Sequence, residues 1–307
     1  MTTSSPATFK PLTGIYEPSA VVQLPDGRFL VAEDERDHAL SVLTLGANGR
    51  VSSTALRPGL LQIFSPFWPL DDLEGLAVDQ SGWVYGITSH SRDDKGKQQD
   101  AREKLVRFRI ESDQVVDRQV GTGLKRSMTT EFPALAAAAK LREAKADGGF
   151  NIEGLAISPD QRRLLVGFRS PLQDACALVA SVENLAAVFD AGEAPRLSSQ
   201  LDLLDLDGHG IRGLSYIPSL HGYLVIGGPV AREDEQFGLW FWSGQAGAKA
   251  RRATVAGLAG FRRAEGVSAV TIGGAEHILI VSDDGDRSKK RPSHFLLLKP
   301  AQLQIAA

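Results

Sequence analysis

Four glutamates and one arginine recur at one position of a repeated motif: Glu17, Glu74, Glu153, Arg212 and Glu265. The motifs read Glu17-Pro-Ser-Ala, Leu73-Glu-Gly-Leu-Ala, Ile152-Glu-Gly-Leu-Ala, Ile211-Arg-Gly-Leu-Ser and Ala264-Glu-Gly-Val-Ser. Equivalent positions of a repeat come together when the repeats close into a ring, so these side chains make a ring of charge. Carboxylates crowded in a partly buried site either raise one another's pKa or recruit a cation. Calcium suits such a site because it accepts roughly six to eight oxygen ligands. The expected ligands are Glu17, Glu74, Glu153 and Glu265, completed by Asp283. Pairing of Arg212 with Glu153 or Glu265 in a closed ion-pair network is the equal alternative. Zinc fits less well, since the six histidines show no ligand spacing and there is one cysteine.

A second constellation is cationic. Arg92, Arg169 and Arg212 approach the same mouth, and a guanidinium fork suits a carboxylate or phosphate. These three are the expected substrate-binding residues. His90 and His209 lie close by, in Ser/Gly-rich loops, where histidine either moves protons near neutral pH or simply bonds a carbonyl. Together with the carboxylate of Glu153 they are the candidate catalytic groups.

The elements that must position these residues are strands. Each motif is followed by a short turn and an apolar run: Arg28–Ala32, Trp83–Ile87, Arg163–Phe168, Tyr223–Ile226 and His277–Val281. A repeat of this size with no helices between its strands predicts an all-β fold, a β-propeller with one four-stranded blade per motif. Five blades are expected, and six follow if Lys104–Gly123 is organised differently. The first blade reads Ser19–Leu24, Arg28–Ala32, Ala39–Leu45 and Val51–Leu56, with a Pro25-Asp26-Gly27 turn. The third reads Asn151–Ser158, Arg162–Phe168, Ala175–Ala180 and Leu197–Leu204. Too few residues follow the fifth motif for four strands, so Thr8–Tyr16 is expected to supply the outer strand and close the ring.

In such a meander the inner strand begins on the face where the second strand ends. The long loops fall on that face: Gln62–Asp72, Ser91–Lys104, Asp205–Gly210 and the basic Asp286–Ser293. An insertion over 124–150 carries one helix, Thr130–Ala146, placed between blades 2 and 3 as a lid or wall. Binding groups tend to cluster on loops held by a rigid scaffold. Phe64, Phe67 and Trp68 read as loop anchors, Asp93–Lys104 as a solvated loop, and Cys176 as core.

The net charge of −3 gives no general attraction to nucleic acid or to an anionic membrane. Lys289-Lys-Arg is too short a basic run to reverse that. The polar start Met1–Lys10 does not read as a secretory signal, and no apolar run reaches the ~20 residues of a membrane span. One cysteine excludes an intrachain disulfide. The expectation is a single domain over 1–307, cytoplasmic, acting on an anionic small molecule.

The stretches Asp72-Leu-Glu-Gly-Leu-Ala, Ile87-Thr-Ser-His-Ser-Arg, Asn151-Ile-Glu-Gly-Leu-Ala-Ile-Ser-Pro-Asp, Gly167-Phe-Arg-Ser-Pro and Gly208-His-Gly-Ile-Arg-Gly-Leu resemble a bacterial propeller family known as domain of unknown function 3616. That resemblance implies a propeller and assigns no activity. More distantly, the Asn/Asp-x-Glu-Gly-Leu-Ala element is similar to one in phytase-like esterase and lactonase-type propellers, whose channel carboxylates hold calcium. Carried over, it implies Glu74, Glu153 and Glu265 as metal ligands, with Arg212 departing from the pattern. Two functions follow: a metal-assisted hydrolase of an anionic ester, a phosphoester first, or a non-catalytic propeller that binds an acidic small molecule, a peptide or a partner protein.

Overall fold

The computed structural model describes residues 7–46, 51–59, 62, 65–142, 148–231 and 236–307. Five antiparallel sheets stand around one axis. The chain enters with β1 (Lys10–Leu12) and then builds blade 1 from β2 (Pro18–Gln23), β3 (Phe29–Glu33), β4 (Leu40–Leu45) and β5 (Val51–Ala55). Blade 2 is β6 (Leu73–Val78), β7 (Val84–Thr88), β8 (Leu105–Glu111) and β9 (Gln114–Gly121). Helices α1 (Leu124–Glu131) and α2 (Pro133–Ala138) lead to blade 3. That blade is β10 (Asn151–Ile157), β11 (Leu164–Ser170), β12 (Ala177–Val182) and, after α3 (Leu185–Asp190), β13 (Asp202–Leu204). Blade 4 is β14 (Gly210–Ile217), β15 (Gly222–Gly228), β16 (Gly238–Trp242) and β17 (Arg251–Val255). Blade 5 is β18 (Ala264–Ile272), β19 (Ala275–Ser282) and β20 (Ser293–Leu298), and the chain ends with β21 (Leu303–Ile305).

The expected ring closure is present. Lys10, Pro11 and Leu12 pair with Phe295, His294 and Ser293, so β1 is the fourth strand of blade 5. The reverse clasp has no counterpart in the sequence reading: β21 adds a fifth strand to blade 4 through Ala253–Ile305 and Val255–Leu303 pairs. The inner strands β2, β6, β10, β14 and β18 neighbour one another around the axis. Apolar residues alternating along the strands fill the spaces between blades, as in the set Ile87, Leu105, Ile152, Val166 and Phe168.

The insertion differs from the single helix Thr130–Ala146. Pro133 has no N–H to continue α1, so the chain breaks at Phe132, whose φ of −117° and ψ of 110° are extended, and restarts as α2. Residues 143–146 of the expected helix lie outside the described residues. Leu124, Met128, Phe132, Leu135 and Ala138 are all buried in the core with Phe150 and Ile152. The insertion is therefore a wall of the core. Phe67 and Trp68 are buried and packed edge-on, with Phe67 also against Phe108, which makes them anchors; Phe64 lies outside the described residues. Cys176 is half-buried in the β11–β12 connection and is not core. No helix among the described residues is long and apolar enough to cross a membrane.

The five blades share one irregularity. Pairing between first and second strands slips between Pro18 and Ala20, Leu73 and Gly75, Ile152 and Gly154, Ile211 and Gly213, and Ala264 and Gly266. The residue skipped at each β-bulge is Ser19, Glu74, Glu153, Arg212 or Glu265. A bulge leaves one residue unpaired and re-aims its side chain, which is why these five point to the axis. Glu17 is not a member of the ring. In blade 1 the register puts Ser19 there, two residues further on, and Ser19 Oγ donates to the carbonyl of Leu73.

Behind the bulges, the strands are too close for side chains. A Cβ at Gly213 would lie 2.2 Å from the carbonyl oxygen of Glu265, and one at Gly75 would lie 2.7 Å from Leu155 Cβ. Backbone at that distance cannot give way as a side-chain tip can. Gly213→Ala is expected to lose about 2–3 kcal/mol of unfolding free energy by overpacking, read in a urea titration, whereas Gly148→Ala, where nothing stands within 4 Å, tests the backbone cost of a positive φ alone.

Candidate functional site

The ring divides into two chemically different halves. In the first, Arg212 Nη1 donates to Glu153 Oε2 at 3.1 Å and to Glu265 Oε1 at 3.0 Å, and Nη2 donates to the carbonyl of Pro229 at 2.8 Å. Arg169, from the end of β11, donates through Nη1 to Glu153 Oε1 at 3.0 Å and through Nε to the carbonyl of Val230 at 3.1 Å. Asn151 Nδ2 adds a third donor to Glu153 at Oε1, 3.0 Å away. These charges are buried, and such pairs hold when geometry and added hydrogen bonds offset desolvation. Here the expected ion-pair network exists, and it holds Arg169 and both terminal nitrogens of Arg212, leaving the buried Arg212 Nε without a partner among the described residues.

The second half has no such partner. Glu74 is 7% exposed, and no hydrogen bond or ion pair reaches its carboxylate from a described residue. Burial, followed by the carboxylates of Glu153, Asp72, Asp34 and Glu265, pushes its pKa well above the carboxylate range. The charged groups that act on it most strongly are acids, with Arg169 acting more weakly from the other half of the ring. Asp34, Asp72 and Glu74 bring carboxylate oxygens within 4.8 Å of one another. They are the one such trio of potential metal ligands among the described residues. Asp72 is held from behind: Arg102 Nη1 lies 3.0 Å from Oδ2, Ser91 Oγ donates to the same oxygen at 3.2 Å, and Ser89 Oγ donates to it as well.

The other expected ligands stand apart from this trio. Glu153 and Glu265 belong to the arginine half. Glu17 is half-buried at the mouth, its pKa raised by burial and then by Glu35. Asp283 Oδ2 is 2.9 Å from Arg263 Nη2, yet burial and Glu265 push its pKa up to about 8. Of the set predicted from the sequence, the structure brings only Glu74 into a ligand cluster and adds Asp34 and Asp72. Asp72 is visible in the sequence two residues before Glu74; Asp34 follows β3 at the mouth and has no motif of its own.

The histidines and Arg92 are placed as anchors. His90 is buried and its Nδ1 donates to the carbonyl of Thr88 at 2.9 Å; burial and then Lys125 lower its pKa to about 4, so it is neutral at pH 7. His209 bonds the carbonyl of Leu206 at 2.8 Å and rests on Trp240 with ring centroids 5.7 Å apart, on the third strand and away from the axis. Arg92 donates to the carbonyls of Gly96 and Ala139, tying its loop to the end of α2. The run Asp93–Lys104 is less solvated than expected. Besides Arg102, Lys104 is buried and caps the carbonyls of Pro66, Phe67 and Pro69.

The family model described as a protein of unknown function (DUF3616) matches residues 133–298. The chain belongs to this family. No curated protein matches it. Among solved structures, it is similar to RS223 β-xylosidase, with 12% identity over 97% of this chain and 98% of the other at a TM-score of 0.49. It is also similar to the PQQ-bound aldose sugar dehydrogenase of Streptomyces coelicolor, with 17% identity over 96% and 99% at 0.45. The third is the major Malassezia sympodialis allergen Mala s 1, with 13% identity over 94% and 80% at 0.46. Likeness at this level carries no chemistry to this chain.

Buried carboxylates with raised pKa values, Glu74, Glu265 and Asp283, make the metal-free protein less stable as pH rises, and His90 opposes them at lower pH. Asp283, with its pKa raised to about 8, binds a proton more tightly folded than unfolded, so its contribution is lost as pH rises through about 8. His90, lowered from 6.5 to about 4, acts oppositely, but only below about 6.5. Lowering the pH from 8 to 6.5 is therefore expected to raise the melting temperature, and Asp283→Asn flattens that slope in a buffer series by differential scanning fluorimetry.

Proposed function

We propose that the loop-rich mouth of this propeller is a divalent-cation site, calcium first, that serves hydrolysis of an anionic ester. The observation that supports it is Glu74: a buried carboxylate with acidic neighbours and no basic partner among the described residues. Asp34, Asp72 and Glu74 offer an all-oxygen donor set, which suits a hard cation. Such a cation, when bound, would polarise an ester oxygen or lower the pKa of a bound water.

The chain's own residues would do the rest. Arg102, Ser89 and Ser91 hold Asp72 in one orientation, as supporting groups do for metal-ligating carboxylates. Asp283 keeps a proton near neutral pH and remains at the mouth with its side chain 22% exposed, which fits a proton donor better than His90 or His209 does. Arg169 and Arg212 are committed to Glu153 and Glu265, so recognition of the anion falls to the basic loop 286–291. Arg287 of that loop is tied to Glu33 and Glu35, the neighbours of Asp34.

Burial and acidic neighbours favour the protonated form of Glu74, so calcium has to compete with protons there, and one prediction separates a cation site from a merely protonated cluster. Isothermal titration in buffers of different ionisation enthalpy is expected to show proton release and an affinity that rises with pH. Glu74→Gln should abolish binding while raising the melting temperature of the metal-free protein. No calcium bound by the folded wild type would overturn the site. The reaction is tested with a panel of phosphoesters and lactones: turnover by wild type that survives in Glu74→Gln would remove this cluster from it.

Arg212 gives a second, independent expectation. Arg212→Met leaves Glu153 and Glu265 without their shared cation and should destabilise by about 3–5 kcal/mol. Combining Arg212→Met with Glu153→Gln and Glu265→Gln should recover most of that loss in the same urea titration.

A further inference from the structure

The mouth opposite the acidic funnel carries two joined cavities. One sits on the axis, encloses about 420 Å³ and is walled mainly by Val22, Leu76, Val78, Leu155, Ile157 and Tyr216. The glycine waist separates it from the funnel: the axial void lined by Glu74, Glu153 and Glu265 measures about 10 Å³, at most the room one water needs. The second cavity, about 780 Å³, runs outward between blades 2 and 3. Asp79 and Gln161 line both, so the cavities meet at a shared ridge. Both volumes fall within the roughly 300–1,000 Å³ of small-molecule sites.

Their chemistry differs. The axial cup is mainly apolar, with Gln80, Ser215 and Ser268 also on its wall, while the outer cleft presents Arg107, Arg162 and Arg196 beside Trp83. Arg107 is occupied: it donates to Gln119 Oε1 at 2.7 Å, pairs with Asp190 and stacks 4.5 Å over Trp83. The guanidinium groups of Arg162 and Arg196 make no hydrogen bond or ion pair with a described residue, whereas the charge of Arg163 acts on Asp202 and Tyr223 toward blade 4. The acids of the cleft do not offset them equally. Asp79 is consumed by its own turn, accepting from Ser81 N and Trp83 N, each at 2.9 Å, and from Tyr85 Oη at 3.0 Å. Asp160 accepts from Ser158 Oγ and from Arg162 N at 3.2 Å. Glu183 is the remaining acid at this rim. An apolar cup that opens onto these arginines matches a molecule with the same division.

We infer that this mouth binds an amphiphilic anion, with an apolar chain in the axial cup and a carboxylate or phosphate head on Arg162 and Arg196. The guanidinium fork holds either head with paired hydrogen bonds, and the apolar wall gains from each methylene removed from water. The site is independent of the cation site, since the waist lies between them.

The test is calorimetric titration of the full chain with decanoate and with decyl phosphate below their micellar concentrations. Octanoate, decanol, acetate and inorganic phosphate serve as probes of the two halves. Binding is expected for at least one decyl anion, weakening about fourfold for each methylene removed and about tenfold when the head is an alcohol. Arg162→Glu with Arg196→Glu, both at exposed positions, should weaken the anions about tenfold and leave decanol unchanged. Ser215→Phe, at a half-exposed position lining the cup, should weaken every chain-bearing probe. Glu74→Gln should change none of these, so failure of the funnel reading and failure of this one are separable. Decyl phosphate without decanoate identifies the head as phosphate, and the reverse as carboxylate. Absence of binding by both, an affinity independent of chain length, or indifference to both variants in folded protein would overturn the inference.

Discussion

Five strands converging on one axis leave no room for side chains between them, and the rest of the molecule is arranged around that crowding. The sequence answers it with glycine directly after each axial residue in four blades, at Gly75, Gly154, Gly213 and Gly266, and with Ala20 in the first. The bulge just before these positions relieves the same crowding from the other side. It takes one residue per blade out of the ladder and turns it toward the axis, above the waist. Charge at the axis is thus a consequence of backbone geometry: whichever residue fills the bulge is delivered there whether or not the site needs it.

Delivered charges have to be neutralised in a place that water scarcely enters. On the side of blades 3, 4 and 5 the chain does so internally, with Arg212 in a bulge and Arg169 at a strand end closing on Glu153 and Glu265. On the side of blades 1 and 2 the ring position is Ser19, a neutral residue, and Glu74 has no ion-pair partner among the described residues, its largest electrostatic neighbours being acids. The asymmetry is what gives the mouth a chemical direction. With all five positions self-compensated the axis would carry no open charge; here one carboxylate is left without an ion-pair partner among the described residues, and that is the ground on which a cation site is proposed.

The blade count, the closure of the ring by the N-terminal strand and the loop-rich face are all legible in the sequence, because each follows from strand periodicity and the repeated motif. The membership of the ring is not. Glu17-Pro-Ser-Ala aligns by eye with the other motifs, but the register of β2 against β3 puts Ser19 at the bulge, and a shift of two residues keeps the same face of a strand while changing which side chain reaches the axis. The helix boundary is hidden at Pro133, where the apolar pattern carries through a residue that the backbone cannot continue across. Asp34 and Arg102 are hidden for a different reason: they come from a strand end and a loop with no repeat to mark them, and their role arises only from contacts between blades. His90 has a chemical look in its Ser-His-Ser setting and is a neutral pin on the Thr88 carbonyl.

The bulges also bear on how such a protein can change over time. Because backbone and glycines set the direction of the five axial side chains, the residue types there can be exchanged with little cost to the surrounding sheets where each change leaves no buried charge without its partner, as a coordinated change at Arg212, Glu153 and Glu265 would. The axis works as a short word of five letters, and this chain spells it Ser, Glu, Glu, Arg, Glu. Relatives that keep the blade architecture but spell it differently would present a different charge at the axis on the same frame, so this word rather than overall resemblance is the place to look for divergence of chemistry within the family.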